Sequence, residues 1–376
     1  MRNLRSLSVI LGTLALLIIV LFISIHNYSS AQLIQVRQDG TGDHITIQAA
    51  LDNATNGTTI TVHAGDYFEN LLINRSITLT GQDNDTTRII GSIDNSLVTI
   101  VSNNVTIFGF SLNSTNGSLF PGISTNRDNI TIEQMFISNC SQGIIAQGSY
   151  NVRIRSVTFT NNSIGGIVID RSENISIHST YHVNDTQGIF ISSSENITIS
   201  NSIFLNNIIR GIRLHKCKDV NLTNNSCIQN LGNGIHITNS NNLFIEGNNC
   251  SLNNRSGILI EESDLATIRN NIASRCEDSG ISIRCALNII LSGNICANNS
   301  YGIRIHYDAI SREDAVCSTV TLENNTIKSN DINFLEEFEA TSGKDKDLQN
   351  RFYLFGAFLL VIILVLIILT NPSKND

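Results

Sequence analysis

The sequence of 376 residues contains no tryptophan and only two methionines. Its eight histidines are scattered, and no His-x-His, methionine-rich or Cys-x-x-Cys cluster occurs anywhere in the chain. Copper and other soft metals are held by closely spaced thiolate, thioether and imidazole ligands. The sequence therefore gives no reason to expect a metal site, and we expect no other cofactor.

Positive charge is also in the minority. Lysine and arginine number 24 against 32 aspartates and glutamates, which gives a net charge of −8 at pH 7. Because proteins that bind nucleic acid present a basic surface, we do not expect a nucleic acid partner. The acidic balance is typical of an exposed, soluble surface.

The most informative feature of the chain is a repeat. Nine Gly-Ile dipeptides recur through its middle at intervals of 21 to 23 residues. A period this regular indicates one structural unit copied along the chain, and such units bury their apolar faces by stacking on their neighbours. The repeated glycines are Gly122, Gly143, Gly166, Gly188, Gly211, Gly234, Gly257, Gly280 and Gly302.

Each repeat contains three short segments in which apolar and polar residues alternate. In the unit that begins at Gly188, polar residues alternate with Ile189 and Ile191 and then with Ile197 and Ile199, and a third apolar run follows. This pattern predicts three strands per repeat. Since the unit has no room for a helical crossover, each strand must pair with its copy about 4.8 Å away. The predicted fold class is all-β: one right-handed parallel β-helix of about 12 coils.

The period also predicts which residues stack inside the coils. The isoleucine after each glycine and the residue two positions later should point inward. Counting back from each glycine, we predict a third inward row at Phe136, Phe159, Tyr181, Phe204, Cys227, Cys250, Ala273 and Ile295. A row of turn residues that should bond along the axis is predicted at Asn139, Asn162, Asn184, Asn207, Asn230, Asn253, Cys276 and Asn298.

These residues resemble a known family. The Asn-Ile-Thr-Ile of residues 196–199, the Gly-Ile starts and the period are similar to the short parallel β-helix repeats of the carbohydrate-binding and sugar-hydrolase superfamily, above all to NosD-like proteins. Residues 36–81 resemble the opening coil of NosD-like proteins and pectin methylesterases, in which the stretch Ile47–Ala54 would form a helix that caps the open end. The absence of tryptophan excludes the tryptophan-bearing catalytic motif of the methylesterases.

The N-terminal segment is typical of a secretory signal. A basic start is followed by an apolar stretch from Leu7 to Ile25 and by a small-residue site that ends at Ala31. Because the apolar stretch is long, an uncleaved signal anchor is the alternative. Residues 1–31 are therefore expected to direct the chain out of the cell or to hold it in the membrane.

A second apolar stretch near the C-terminus is long enough to span a membrane as a helix. We expect the β-helix on the extracellular side, since a long translocated domain outweighs local charge bias. The predicted domains are the β-helix at 32–330, a linker at 331–351, the transmembrane helix at 352–370 and a cytoplasmic tail at 371–376.

An exported chain raises the question of modification. Twenty Asn-x-Ser/Thr sequons occur, although asparagine, serine and threonine are also the residues that this fold uses in turns. The candidates for glycosylation are Asn56, Asn74, Asn129, Asn174, Asn196, Asn221 and Asn324.

Eight cysteines invite disulfides in an oxidising compartment. The candidate pairs are Cys227–Cys250, at equivalent positions of adjacent coils, and Cys276–Cys285, which flank one Gly-Ile turn. The alternative is that the thiols are buried as small apolar side chains that continue the phenylalanine row.

The outward positions after each glycine change character along the chain. Early coils carry apolar residues at the first of these positions and polar residues at the second. Later coils carry Arg213, His236 and Arg304 at the first position and His215, Glu261, Arg284 and His306 at the second. One interpretation is a salt ladder between strands. The other is a site for acidic sugars in which His236 or His215 would be the base and Arg213 and Arg304 would bind the carboxylate.

Three functions are consistent with these observations. The first is a membrane-anchored cell-surface protein that binds glycans, glycoproteins or other envelope components. The second is a carbohydrate-active enzyme, lyase-like or glycosidase-like, that uses the charged row, although no known catalytic signature is present. The third is a NosD-like accessory to a membrane transporter or copper system.

Overall fold

The computed structural model describes residues 32–91, 95–114, 119–308 and 319–339. These residues form an all-β solenoid of about 12 turns with a single short helix, as the repeat predicts. Each strand pairs in parallel with the equivalent strand of the next coil, so that Ile189 lies opposite Ile212 and Ile212 opposite Ile235. The Gly-Ile period therefore sets the register of the coils between Gly122 and Gly302.

The helix α1 comprises Ile47–Asn53. The strands are β1 (Leu33–Val36), β2 (Thr59–Val62), β3 (Gly65–Tyr67), β4 (Leu71–Ile73), β5 (Thr78–Gly81), β6 (Thr87–Gly91), β7 (Val98–Ile100), β8 (Val105–Phe108), β9 (Ser111–Ser114), β10 (Ile123–Thr125), β11 (Ile130–Glu133), β12 (Phe136–Ser138), β13 (Gln142–Gln147), β14 (Tyr150–Arg155), β15 (Thr158–Thr160), β16 (Gly165–Asp170), β17 (Glu173–His178), β18 (Tyr181–Val183), β19 (Gln187–Ser192), β20 (Glu195–Ser200), β21 (Ile203–Leu205), β22 (Arg210–His215), β23 (Lys218–Thr223), β24 (Ser226–Ile228), β25 (Ile235–Thr238), β26 (Asn241–Glu246), β27 (Ile258–Glu261), β28 (Asp264–Arg269), β29 (Ile272–Ser274), β30 (Ser279–Arg284), β31 (Ile289–Ser292), β32 (Ile295–Ala297), β33 (Tyr301–Asp308), β34 (Val320–Glu323), β35 (Thr326–Lys328) and β36 (Ile332–Glu339).

The strands form three long faces. Face 1 is a 13-stranded sheet from β1 to β34, and face 2 is a 12-stranded sheet from β4 to β36. Face 3 is divided into sheets of eight and three strands, between which Asn249 makes isolated bridges to Ser226 and Ile272. The core lies between the three faces, and the two isoleucine rows that follow the glycines are fully buried in it, as predicted.

The third inward row is partly different from the prediction. Ile137, His182 and Cys296 point inward, whereas Phe136, Tyr181 and Ile295 lie on the outside of face 3, where Tyr181 is 37% exposed. The strands of face 3 have three residues and are often apolar on both sides, so alternation does not reveal which side is buried. Because of this error, the prediction did not place the buried His182 in the core.

The predicted row of turn residues is also shifted by one position in some coils. Asn139, Asn184 and Asn298 have positive φ, and the residues that follow them, Cys140, Asp185 and Asn299, occupy the buried position. In this row the side-chain oxygen of an asparagine accepts hydrogen bonds from the preceding coil. For example, the backbone and side-chain nitrogens of Asn207 donate to Oδ1 of Asn230 at 3.0 and 2.9 Å. The predicted bonding along the axis is therefore confirmed.

Three glycosylation candidates belong to a similar ladder on face 1. Each uses its side-chain amide to donate to the asparagine of the preceding coil: Asn129 to Asn104 at 2.9 Å, Asn174 to Asn151 at 3.2 Å and Asn196 to Asn174 at 3.3 Å. The structure thus gives these sequons a structural role, and their glycosylation stays a prediction.

The predicted capping helix is present at the N-terminal end. Thr46 precedes α1 and accepts a bond from the backbone of Ala49, and the carboxylate of Glu69 accepts the backbone amides of Ile47 and Gln48 at 2.9 and 2.8 Å. Ile47, Ala50 and Leu51 are buried against the first strands. These bonds satisfy the free amides of the helix start and fix the cap on the first coil.

At the other end, the solenoid continues into the segment that was predicted to be a linker. Strand β36 pairs in parallel with β33 over seven residue pairs, including Ile303 with Phe334. The Gly-Ile motif ends at Gly302, but an apolar residue remains at the register position of Phe334, which is enough for another strand to pair.

The expected membrane segments lie outside the described residues. Both the signal segment 1–31 and the transmembrane segment 352–370 belong to this group. Within the part of the chain that the structure describes, no helix is long and apolar enough to cross a membrane.

The predicted disulfides are not formed. Cys227 and Cys250 stack inward as free thiols, and Cys276 is also a free thiol. The six-residue strand β30 separates Cys276 from Cys285. Burial raises the pKa of Cys276 to about 12. The structure thus places Cys227 and Cys250 as small buried thiols that continue the inward row.

A histidine and an aspartate lie together inside the core. The His182 ring is stacked between Phe159 and Phe204, with ring centroids 4.6 and 4.7 Å away. Its Nδ1 lies 3.7 Å from Oδ2 of Asp185, too far for a hydrogen bond, and neither atom has another partner. Asp185 replaces an asparagine of the buried row, and burial lowers the pKa of His182.

This pair predicts an acid-sensitive stability. Below pH 6.5 the unfolded His182 takes up a proton that the buried ring resists, so stability should fall by up to about 1.4 kcal/mol per pH unit. The double variant H182F/D185N extends both the phenylalanine and asparagine rows. When the pH is lowered from 7.5 to 5.5, the melting temperature of this variant should decrease by a few degrees less than that of the natural chain. The control H178S, on face 1, should keep the natural pH dependence; an unchanged dependence in the double variant would contradict the prediction.

Candidate functional site

The charged row lies on the outside of face 2, where the strands of successive coils are in register. Arg213 on β22 lies opposite His236 on β25, and Glu261 on β27 lies opposite Arg284 on β30. Arg284 in turn lies opposite His306 on β33. The structure therefore brings together the residues that the sequence placed on neighbouring coils.

Glu261 connects three coils. One carboxylate oxygen is 2.7 Å from Nε2 of His236, and the other is 3.3 Å from the guanidinium of Arg284. The bond from His236, followed by the charges of His236 and Arg284, holds the pKa of Glu261 below its usual value against the effect of burial. His236 is 7% exposed, and its Nδ1 is covered and has no partner. This arrangement fixes the orientation of the imidazole ring.

A second cluster lies at the end of the row and is fully paired. Glu337 on β36 accepts from Arg304 at 2.8 Å and lies 2.9 Å from Nδ1 of His306. Arg304 also lies over the ring of Tyr301 and 3.7 Å from Asp278. Burial, then the charge of Arg304, lowers the pKa of His306. Because Arg304 and His306 are already used within the protein, this cluster is a connection between the last coils.

His215 stands apart from both clusters. Its Nδ1 is 2.8 Å from the hydroxyl of Thr238, and the pKa of the ring is lowered by burial and by the charges of Lys216 and Arg213. It has no contact with Glu261 among the described residues, so it lacks the carboxylate partner that His236 has.

Three arginines at the start of the row have no carboxylate partner among the described residues: Arg210, Arg213 and Arg255. Arg213 lies 4.9 Å above the ring of Phe190, and its Nε is buried without a partner. Burial, followed by the charges of Arg213 and Arg255, lowers the pKa of Arg210. We call Arg210, Arg213, Arg255 and His236 the arginine site.

The arginine site is suited to anions. Guanidinium groups bind carboxylates with two parallel bonds, and such bonds are strongest where the groups are partly removed from water. Mutual repulsion of three unpaired cations is relieved when an anion binds. Arg213 and His236 lie opposite each other on adjacent coils, so one anionic group at the surface could contact both side chains.

The sequence missed two of these arginines. Arg255 lies in the turn before β27, and Arg210 is the first residue of β22, so neither occupies the outward positions that follow each glycine. Arg210 stands one residue before Gly211, and Arg255 stands two residues before Gly257. These nearly equivalent positions in the repeat are the signal that could have identified both arginines. No group of His, Cys, Asp and Glu that could hold a metal ion occurs within the described ranges.

Comparisons with known proteins agree with the fold. The family model described as a right-handed β-helix region matches residues 75–226 and 188–346. A search of curated proteins gives no match. The A-module of the mannuronan C-5 epimerase AlgE4 from Azotobacter vinelandii is similar in structure, with a TM-score of 0.63, 15% identity, and coverage of 78% of this chain and 95% of the module.

Two other solved structures are similar over most of this chain. The Dettilon tailspike protein has a TM-score of 0.58 and 12% identity, with 81% of this chain and 68% of the tailspike covered. A variant of the periplasmic alginate epimerase AlgG has a TM-score of 0.55 and 16% identity, with 81% and 74% covered. At these identities the likeness establishes a shared fold.

The paired cluster generates a prediction about the last coil. Replacing Glu337 by glutamine removes the charge that holds Arg304 and His306, so the amides of β36 should exchange hydrogen about tenfold faster. Hydrogen exchange read by mass spectrometry measures this. The control E323Q, on β34 of face 1, should leave the exchange of β36 unchanged, and equal effects of the two variants would contradict the assignment.

Proposed function

The chain belongs to the family of proteins with a right-handed β-helix region, and on that premise we propose that it binds acidic polysaccharide through the arginine site. The observation that carries the proposal is the set of three arginines without carboxylate partners on face 2. The named epimerases act on mannuronan and alginate, which are carboxylated polymers. A carboxylated polysaccharide supplies the anions that the site lacks.

The contrast with the paired residues of the charged surface supports a ligand over a salt ladder. Lys218 pairs with Glu195 on the neighbouring coil, and Arg269 pairs with Glu246 in the same way. Such pairs stabilise a sheet modestly and keep its register. Arg213 has Phe190 and His236 as its register neighbours, so its charge serves no ladder.

The spacing of the site fits a polymer that lies along the axis. Arg213 and Arg255 belong to coils two steps apart, which corresponds to about 10 Å at the usual strand spacing. Several sugar units would therefore contact face 2 at the same time. We further propose that the chain is held at the cell surface, with the solenoid outside, by the apolar segments predicted at its ends.

A second function is favoured by one observation, the bond between His236 and Glu261. A histidine held by a carboxylate can act as a general base. In a lyase-like reaction it would take the proton beside the uronate carboxylate; a carbon–carbon double bond then forms as the glycosidic bond breaks, and the leaving oxygen is protonated. Because Nδ1 is covered, we rank binding first. No observation favours the NosD-like accessory role, which stays a prediction.

The binding proposal is tested with the full chain and polygalacturonate, using its neutral methyl ester as the matched polymer. The variant R210Q/R213Q should bind polygalacturonate about ten- to hundredfold more weakly. Its glutamine at position 210 copies Gln187, which lies opposite Arg210 on the preceding coil. The control R269Q removes an arginine that lies over Phe244 on face 1 and should bind as the natural chain does. Equal binding of the two polymers, or equal loss in both variants, would refute the proposal.

The enzymatic alternative has a separate readout. If it holds, the protein releases unsaturated products from a uronate polymer, detected by ultraviolet absorbance, and H236Q abolishes the release while H215Q retains it. Binding without any unsaturated product would exclude the lyase-like reaction and leave the binding function intact.

A further inference from the structure

An apolar ridge runs beside the arginine site. Ile208, Ile209 and Leu231 lie in the turns before β22 and β25 and are 54%, 40% and 57% exposed. Three large aliphatic side chains next to one another in solvent are unusual, since exposed apolar residues are ordinarily scattered.

The ridge and the arginines form one surface. Ile209 directly precedes Arg210 in the chain, and the backbone amide of Arg255 donates to Gly232 at 3.2 Å on the coil below. Gly232 leaves the surface bare between them, because a Cβ there would collide with the carbonyl oxygen of Ile209.

The same row is polar in the other coils. Backbone bonds place Thr186, Ile208, Leu231, Asn254 and Glu277 in one row along the axis. Only the two members beside the arginine site are apolar. The apolar surface therefore coincides with the unpaired charge, which suggests that one ligand contacts both.

We infer that the acidic polysaccharide bound at this site carries short acyl esters, such as acetyl groups, that contact Ile208, Ile209 and Leu231. This inference rests on the proposed function. Flat sugar rings pack well on aromatic side chains, whereas the ridge consists of branched aliphatic chains, which suit a small methyl-bearing group. An acyl ester on a polyuronate places such a group within a few ångströms of a carboxylate, as the surface requires.

The experiment compares one polymer in two states. The full chain is titrated with an O-acetylated polyuronate and with the same preparation after mild alkaline deacetylation. The acetylated polymer should bind about four- to fifteenfold more tightly, as expected for one or two buried methyl-sized groups. The variant I208T/L231N, which copies Thr186 and Asn254, should lose this preference and keep its affinity for the deacetylated polymer.

The control and the failures are distinguishable. The variant I272T/I295T removes two exposed isoleucines from face 3 and should retain the preference. Equal binding of both polymers overturns the inference and leaves the proposed function intact, whereas binding of neither polymer overturns both. A third outcome is that the natural chain binds phosphatidylglycerol vesicles, that I208T/L231N does not, and that neither prefers the acetylated polymer. This outcome would assign the ridge to a lipid surface and overturn the inference.

Discussion

The structure depends on the in-register stacking of each coil on the next. Every strand bonds to its own copy one coil away, so a side chain has as its nearest neighbour the residue at the same position of the repeat. Like charges in such a stack face each other at about the strand spacing and repel. Glu246 opposite Arg269 on face 1 and Glu261 opposite Arg284 on face 2 follow the rule that opposite charges stack on each other. The arginine site departs from this rule.

The same constraint explains the interior. A buried asparagine can satisfy the backbone of its neighbouring coil only if that neighbour stands at the matching position, as Asn207 and Asn230 do. Because buried polar groups without partners are costly, the row tolerates few alternatives. Asp185 keeps the bonds of the row through one oxygen and leaves the other beside His182. The predicted acid sensitivity of the core arises from this one aspartate in a row of asparagines.

Much of the fold could be predicted from sequence because the period is visible in the sequence itself. The Gly-Ile spacing predicted the coils, two inward rows and the charged row on the outside of the later coils, whereas the diagonal contact of His236 with Glu261 was not predicted. The errors arose where the pattern is weak: at three-residue strands such as β12 and β18, and beyond Gly302, where the motif ends but pairing continues to β36. Glu337, Arg210 and Arg255 were missed for related reasons, since they lie outside the positions that repeat. The chemistry of the site depends on these exceptions.

The cap formed by α1 has a consequence for how the molecule is made. With Ile47 and Leu51 covering the first coil, the described solenoid has a closed N-terminal end and one available edge. Between Gly122 and Gly302 each coil closes a loop of 21 to 23 residues, so the entropy lost per coil is nearly constant over this part of the solenoid. The solenoid can therefore grow from its N-terminus as the chain emerges, with each finished coil serving as the template for the next. Its length is then set by how many repeats are encoded and not by a global fold that must be completed at once.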